Sequence, residues 1–138
     1  MASDNSFIVK ITAPDRLFYS GNADMIELTT TEGQIGVYKG HIPLTAVIAP
    51  GTVRIYETEG QVKSAALIAG FVEILQDKVE ILAEDILWPD EIDVNRAEEA
   101  RIRAERRIKS GDSDINLARA ELALRKSLIR INLVGKYK

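Results

Sequence analysis

The chain lacks cysteine, and its 138 residues include a single histidine, His41. Without cysteine there can be no disulfide, no catalytic thiolate and no cysteine-ligated zinc, and a reducing compartment is compatible with the sequence. A lone histidine beside Gly40 and Pro43 is typical of a packed loop or an interface, because a base or metal ligand needs partners that this region does not offer. The segment Gly33–Lys39 lacks the spacing and the Lys-Ser/Thr ending of a phosphate-binding loop. These absences argue against an enzyme that acts alone.

Long hydrophobic runs are missing as well. The longest, such as Ala65–Gly70, fall far short of the roughly 20 residues that a membrane helix needs. Residues 1–10 show no basic region followed by an apolar run, so we expect no secretory signal. The sequence predicts a soluble protein without direct membrane insertion.

Charge is distributed unevenly. The net charge is −3. Residues 1–89 hold 6 Lys or Arg against 12 Asp or Glu (net −6), whereas residues 90–138 hold 12 against 9 (net +3). A basic C-terminal part suggests an acidic partner. Nucleic acid is a poor candidate, because the whole chain is acidic and its basic part has no interleaved aromatic residues.

The first part of the chain alternates between apolar and polar residues and is interrupted by turn residues every 8–12 positions or so, the spacing typical of a β-sandwich. Strands that are buried on one face need a second sheet to cover them. The predicted strands are Phe7–Ile11, Met25–Thr29, Thr52–Glu57, Phe71–Leu75 and Val79–Leu82.

After Trp88 the period changes to that of helices. We expect Asp90 to cap the first helix and Gly111 to end it, with a second helix over residues 115–133. Because the link is short, the pair should form an antiparallel hairpin. The sequence therefore predicts a mainly β fold plus α: an N-terminal β-sandwich in residues 1–88 and a C-terminal two-helix hairpin in residues 89–138.

The second helix carries two apolar stripes. One interpretation places the helix between its hairpin partner and the sandwich; the other reserves the second stripe for a different partner in another docked state. The first stripe holds Leu117, Ala120, Leu124, Leu128 and Ile131, and the second holds Ile115, Ala118, Leu122 and Ile129.

Basic residues recur on both helices at offsets of 7 and 11 positions. They either form solvated faces, with intrahelical pairs such as Arg101 with Glu98 or Glu105, or an electropositive surface for carboxylates or a nucleotide phosphate. These residues are Arg96, Arg103 and Arg107 on the first helix and Arg119, Lys126 and Arg130 on the second.

Seven motifs, in order along nearly the whole chain, resemble the epsilon subunit of the F-type ATP synthase. Each is weak alone, but the ordered set is specific. They are Thr12-Ala13-Pro14-Asp15 with Phe18-Tyr19-Ser20-Gly21, Glu32–Val37, Gly40–Leu44, Gly51–Ile55, Gly70–Ile74, Ile92–Ala97 and Arg119–Leu124.

The resemblance implies a non-catalytic subunit of the central rotor, in which the sandwich binds the gamma subunit and rests on the ring of c subunits. It implies a peripheral position at the cytoplasmic face of the cell membrane. Contacts are expected in the loop Glu32–Gly36 and in the segment Gly40–Thr45. The candidate residues are Glu32, Gly33, Gln34, Gly36, Gly40, His41, Pro43 and Leu44.

The resemblance also implies that the hairpin regulates ATP hydrolysis by reaching an acidic segment of the catalytic beta subunit, with Arg107, Arg119 and Lys126 as candidate contacts. No cofactor is required, but some relatives bind ATP as a regulatory ligand. Two departures, Leu87 in place of an acidic residue and Lys126 in place of an arginine, imply weak ATP binding at best. The matching residues are Ile92, Asp93, Arg96, Ala97, Arg103 and Arg130.

The alternative function is a stand-alone ATP-sensing module whose hairpin closes on the nucleotide. A free β-sandwich enzyme would need a catalytic constellation that the sequence does not contain. The coupling ion, H⁺ or Na⁺, the strength of inhibition and the dominant hairpin conformation stay open.

Overall fold

The chain divides into a β unit, Met1–Leu87, and a helical unit, Trp88–Lys138. The structure, a computed structural model, describes residues 5–111 and 114–136. The predicted order, a β-sandwich followed by two helices, is confirmed.

The β unit is a sheet that closes on itself. Its strands run in the order β1-β7-β6-β5-β2-β3, β1 also pairs with β2, and β4 pairs with β6. All of these pairings are antiparallel except the parallel pair of β1 and β7. The strands are β1 Phe7–Ala13, β2 Arg16–Thr30, β3 Gly33–Val37, β4 Leu44–Val47, β5 Gly51–Glu57, β6 Val62–Ile74 and β7 Lys78–Leu87.

The long strand β6 pairs with β7 along one edge and with two different strands along the other, and the change of partner occurs at a bulge. Its first half pairs with β5 and its second half with β4. Between the halves the register against β7 shifts at Ala69 and Gly70. Gly70 has φ +142°, and a Cβ there would lie 2.2 Å from the carbonyl oxygen of Leu82. The bend therefore depends on a glycine that lets two backbones approach closely.

The core follows from alternation along most of the strands, in which side chains on one face are buried and their neighbours face outward, as the period of two requires. The first half of β6 is different, because Ser64–Ile68 are all buried. The largest fully buried side chains are Ile11, Ile26, Leu28, Ile55, Leu67, Ile74 and Ile81.

The predicted loop over Glu32–Gly36 is wrong. Only Thr31 and Glu32 form the turn, and the strand β3 begins at Gly33. The sequence did not indicate β3 because the strand lies at the sheet edge. Of its five residues only Val37 is buried, so the strand needs few apolar residues and shows no clear alternation. The first half of β2, from Arg16, was also absent from the predicted strands.

The helical unit begins with a 3₁₀ turn at Pro89–Glu91, followed by α1, Val94–Ser110, and α2, Asp114–Lys136. The prediction of Asp90 as the helix cap is wrong, because Asp90 belongs to that turn. Asp93 takes the extended conformation and its carboxylate accepts a hydrogen bond from the Arg96 amide at 3.1 Å. Gly111 ends α1 in the left-handed conformation, as predicted (φ 74°).

Small residues line the contact between α1 and α2. Ala97, Ala104, Ala120 and Ser127 are all buried, which lets the helices pack closely. The second apolar stripe of α2 is uncovered at Leu122, which is 41% exposed, and at Ala118; the side chain of Ile115 lies outside those described. In the described part of the chain, neither helix combines the length and apolar character needed to span a membrane.

Candidate functional site

A row of apolar side chains crosses the outer face of the β unit. The strand register places Val47 opposite Phe71, Phe71 opposite Leu82, Leu82 opposite Thr12 and Thr12 opposite Leu17. The four large side chains are 46%, 48%, 54% and 57% exposed in that order along the row. We call these five residues the apolar row. Exposed apolar side chains on neighbouring strands form a candidate interaction surface.

Charged residues form the adjacent row. Glu73 of β6 lies opposite Glu80 of β7, and Glu80 lies opposite Lys10 of β1. Glu80 also pairs with Lys78, with 3.2 Å between its Oε2 and the lysine Nζ. In the described part of the chain, Glu73 has no ion pair.

The two rows border a shallow groove of about 190 Å³, lined by Thr45, Phe71, Val72, Glu73, Glu80 and Leu82. Its walls are mainly apolar and its acidic groups come from two neighbouring strands. Within residues 5–111 and 114–136, no group of three or more Asp, Glu or His side chains could hold a metal ion. The arrangement is suited to docking a partner surface.

The apolar row was not predicted from the sequence, although a signal was present. Phe71, Leu82 and Leu17 each adjoin a buried apolar residue, so two consecutive apolar residues break the alternation expected of a half-exposed strand. The row itself could not be predicted from the sequence, because it depends on the register of five strands.

The predicted contact residues Glu32, Gly33, Gln34 and Gly36 lie at the hairpin turn between β2 and β3 and along β3. The Thr30 hydroxyl donates to the Gly33 carbonyl at 2.9 Å and accepts from the Glu32 amide at 3.1 Å. Gly33 adopts φ +120°, which suits glycine. All four residues are exposed, and Glu32 projects from a tightly bonded turn.

The second predicted contact segment begins at Gly40, whose amide donates to the Gln76 carbonyl at 2.8 Å. His41 is half-buried, with its Nδ1 2.7 Å from the Ile42 carbonyl oxygen, and Ile42 is 80% exposed. Pro43 is exposed, and Leu44 begins β4. The structure thus places one predicted contact segment at the β2–β3 turn and along β3, and the other before and at the start of β4.

The basic residues of the hairpin occupy one face. Each stands one position before a residue on the packed side of its helix, as Arg103 precedes Ala104 and Arg119 precedes Ala120. One position is a rotation of about 100° around a helix. In an antiparallel pair the helices are related by a two-fold axis perpendicular to the plane that contains them. Both basic rows are displaced from the packed side in the same direction around their helix, so they lie on the same face of the pair. We call this the basic face: Arg96, Arg103, Arg107, Arg119, Lys126 and Arg130.

Exposure along the basic face is graded. Arg96, Arg103, Arg107 and Arg119 are exposed, whereas Lys126 and Arg130 are half-buried. On the other flank of α1, Arg101 pairs with Glu98 at 3.1 Å and with Glu105 at 2.7 Å, as predicted. These carboxylates raise the pKa of Arg101, chiefly through the hydrogen bonding that its guanidinium donates to Glu98. The hairpin thus has one basic face and one flank where charges are balanced.

The residues that match the nucleotide motif fall into two groups. Ile92 and Ala97 are buried, and the Asp93 carboxylate caps α1. These three residues therefore have structural explanations. Arg96, Arg103 and Arg130 lie on the basic face, where their guanidinium groups suit phosphate oxygens.

Comparisons with known proteins account for nearly the whole chain. Residues 6–89 match the family described as the ATP synthase delta/epsilon chain β-sandwich domain, and residues 90–135 match its long α-helix domain. The chain is 42% identical over 135 residues to the ATP synthase epsilon chain of Caldanaerobacter subterraneus subsp. tengcongensis, covering 97% of both chains. It is 40% identical to that of Halalkalibacterium halodurans, covering 93% of this chain and 96% of the relative.

Solved structures share the fold. A chain in the OSCP/F1/c-ring structure of Euglena gracilis mitochondrial ATP synthase aligns with a TM-score of 0.79 and 21% identity, over 99% of this chain and 83% of that one. A chain in the central stalk/c-ring structure of Tetrahymena thermophila mitochondrial ATP synthase aligns with a TM-score of 0.60 and 21% identity, over 95% of both.

Proposed function

The chain belongs to the ATP synthase delta/epsilon-chain family, and from that premise we propose that it is a central-stalk subunit of an F-type ATP synthase. It performs no catalysis itself. It couples ion flow to ATP synthesis by holding the rotor together, and it regulates ATP hydrolysis through its helices. Its position is peripheral to the membrane, at the cytoplasmic face of the cell membrane.

The observation that carries this proposal is the apolar row, which we assign to the gamma subunit. Fully burying a Val, Leu or Phe side chain contributes about 1.5–3 kcal/mol. The four large members are about half exposed, so covering them contributes roughly 3–6 kcal/mol in total. That contribution is not screened by salt as an ion pair would be, which suits a contact that must persist while the rotor turns.

Substituting one member of the row tests the assignment. Leu82→Asp introduces a charge at the centre of the row and should abolish co-purification of the full-length chain with the gamma subunit. The matched control is Leu122→Asp, the same change at an exposed leucine of α2, which should leave gamma binding intact. Thermal melts verify that both variants are folded. Equal gamma binding by the two variants would remove the apolar row from the proposal.

We assign the c-ring contact to the exposed ends of β3 and β4. The β2–β3 turn presents Glu32, and the segment before β4 presents Ile42 and Pro43. Two contact points hold the β unit more firmly than one. Glu32→Lys should weaken coupling between ion flow and ATP synthesis in reconstituted membranes while gamma binding is kept.

We assign the basic face of the hairpin to an acidic segment of the catalytic beta subunit. Exposed ion pairs contribute about 0.2–1 kcal/mol each, so several together make a contact that forms and breaks readily. Arg103→Glu together with Arg107→Glu should raise ATP hydrolysis by the assembled complex. Glu98→Lys, on the other flank of α1, is the charge-changing control. Unchanged hydrolysis in the double variant would exclude this face as the regulatory contact.

A second candidate function, ATP sensing by the hairpin, is favoured by the arginines of the basic face. Isothermal titration of the isolated chain separates it from the first. Weak ATP binding agrees with a stalk subunit in which the nucleotide is at most a regulatory ligand. Tight, magnesium-insensitive binding would favour a nucleotide sensor and would contradict the weight given to Leu87 and Lys126.

A further inference from the structure

We propose that the surface which covers the apolar row carries a lysine or arginine whose cation pairs with Glu73. The inference rests on the proposed function, because it takes the partner of the row to be the gamma subunit. It adds the chemistry of the contact: an apolar surface with one cation at a fixed place, beside Phe71 and Leu82.

The first argument is the charge balance of the charged row. Residues that lie directly opposite on antiparallel strands have Cα atoms roughly 4.5–5.5 Å apart, and like charges there are destabilising. Glu73 and Glu80 form such a pair. Lys78 and Lys10 balance Glu80, but Glu73 has no ion pair in the described part of the chain. Among the described residues, Glu73 is therefore a carboxylate without a counter-charge beside the apolar row.

The second argument is what docking does to that carboxylate. A partner that covers Phe71 and Leu82 removes water from Glu73, which lies two positions from Phe71 on the same face of β6. A carboxylate that loses water without gaining a counter-charge costs several kcal/mol. A wholly apolar partner would therefore bind poorly here, and an acidic partner would be repelled.

The third argument is the shape of the groove. Lysine and arginine have apolar stems and charged ends, and they pack their stems along apolar surface. The groove of about 190 Å³ offers Phe71 and Leu82 as walls and the two carboxylates as acceptors. A cation placed at Glu73 also approaches Glu80, which lies opposite on β7, and the Phe71 side chain that lines the same groove, so it gains from more than one neighbour.

The test uses the full chain and the purified gamma subunit, with affinity measured by surface plasmon resonance at low and moderate salt. Glu73→Gln should weaken binding roughly tenfold or more, and Glu73→Lys further still, because truncating one member of a covered ion pair leaves the other unpaired. The control is Glu59→Gln, the same change at an exposed residue outside both rows, which should leave the affinity unchanged.

A melting experiment on the isolated chain separates a binding role from a structural one. Glu73→Gln should keep or raise the melting temperature, since it relieves repulsion with Glu80. Lower stability together with weaker binding would mean that the glutamate acts on the fold and would overturn the inference.

The outcomes also separate this inference from the proposed function. If Leu82→Asp abolishes gamma binding while Glu73→Gln has no effect, the apolar row docks gamma without a paired cation and the inference is wrong. If both variants bind normally, the outer face is not the docking surface and both statements are wrong.

Discussion

Replacing Gly70 by alanine should lower the stability of the β unit more than the same replacement at any other glycine of its strands and turns. Gly70 lies at φ +142°, a conformation that residues with a Cβ rarely adopt. The added Cβ would lie 2.2 Å from the Leu82 carbonyl oxygen and 2.9 Å from the Ala83 Cα. Both atoms are backbone, so no side chain can move aside to relieve the clash.

The cost can be divided into two parts. Holding alanine at positive φ costs about 1–2 kcal/mol, and forcing strands β6 and β7 apart adds about 1–3 kcal/mol. The total is roughly 2–5 kcal/mol. For a unit of this size each kcal/mol lowers the melting temperature by about 4–8 °C, so we expect a decrease of at least about 8 °C.

Two other glycines provide matched controls. Gly60 has φ +98° with no atom within 4 Å of an added Cβ, so Gly60→Ala bears only the conformational cost, about 1–2 kcal/mol. Gly135 lies in α2 with open space around it, and Gly135→Ala should stabilise the helix by about 0.5–1 kcal/mol.

Urea unfolding followed by far-ultraviolet circular dichroism measures the three changes, and hydrogen exchange locates the loss in β6 and β7. Because Phe71 and Leu82 adjoin the clash, Gly70→Ala should also weaken gamma binding. The reasoning is refuted if Gly70→Ala costs no more than Gly60→Ala, since the close backbone approach would then contribute nothing.

Three further predictions concern single side chains. Burial, the 2.5 Å hydrogen bond to Glu57 and that carboxylate's charge raise the pKa of Tyr19. The resulting stabilisation is full below the ordinary tyrosine pKa of about 10 and is lost as the pH rises above it. Tyr19→Phe should therefore cost about 1–2 kcal/mol of unfolding free energy at neutral pH, and denaturation curves should show a smaller loss of stability at alkaline pH. Asp93→Ala removes the cap on the Arg96 amide and should cost about 1 kcal/mol, visible as faster amide exchange in the first turn of α1, whereas Asp93→Asn should retain the cap. Lys126→Arg restores a bidentate fork and should tighten ATP binding several-fold in calorimetry; an unchanged affinity would mean that this position does not contact phosphate.

Sequence alone predicted the elements whose pattern the core dictates. The strands around Val53 and Ile81 alternate because one face is fully buried. The edge strand β3 was missed because its glycines and exposed positions carry no such alternation. A strand can thus be predicted from alternating apolar and polar residues only where one of its faces is buried.

The helix start illustrates a different limit. Asp90 and Asp93 have the same side chain, and either can cap a helix. The choice depends on the backbone, since Pro89–Glu91 closes a 3₁₀ turn and leaves Asp93 extended ahead of α1. Composition cannot distinguish the two positions, because the difference lies in φ and ψ.

The candidate site was predictable only where it follows helix geometry. The basic face could be inferred from spacing, because the offsets within a helix fix which residues share a side. The apolar row joins Leu17, Val47, Phe71 and Leu82 across strands far apart in sequence, and strand register is set by turns and bulges such as the one at Gly70. Long-range register is therefore the missing information.

The two surfaces differ in the physics of their contacts, and this difference fits the two roles proposed for the chain. Apolar burial needs no ions and is not screened by salt, so the apolar row is suited to a contact that lasts. Exposed charges contribute little individually and are screened within about 8–10 Å at physiological salt, so the basic face is suited to a contact that forms and dissolves. Glu73 combines both properties, since its carboxylate specifies a partner whose apolar surface provides the affinity. A chain that had to hold a rotor permanently and restrain it only at times would need one surface of each kind.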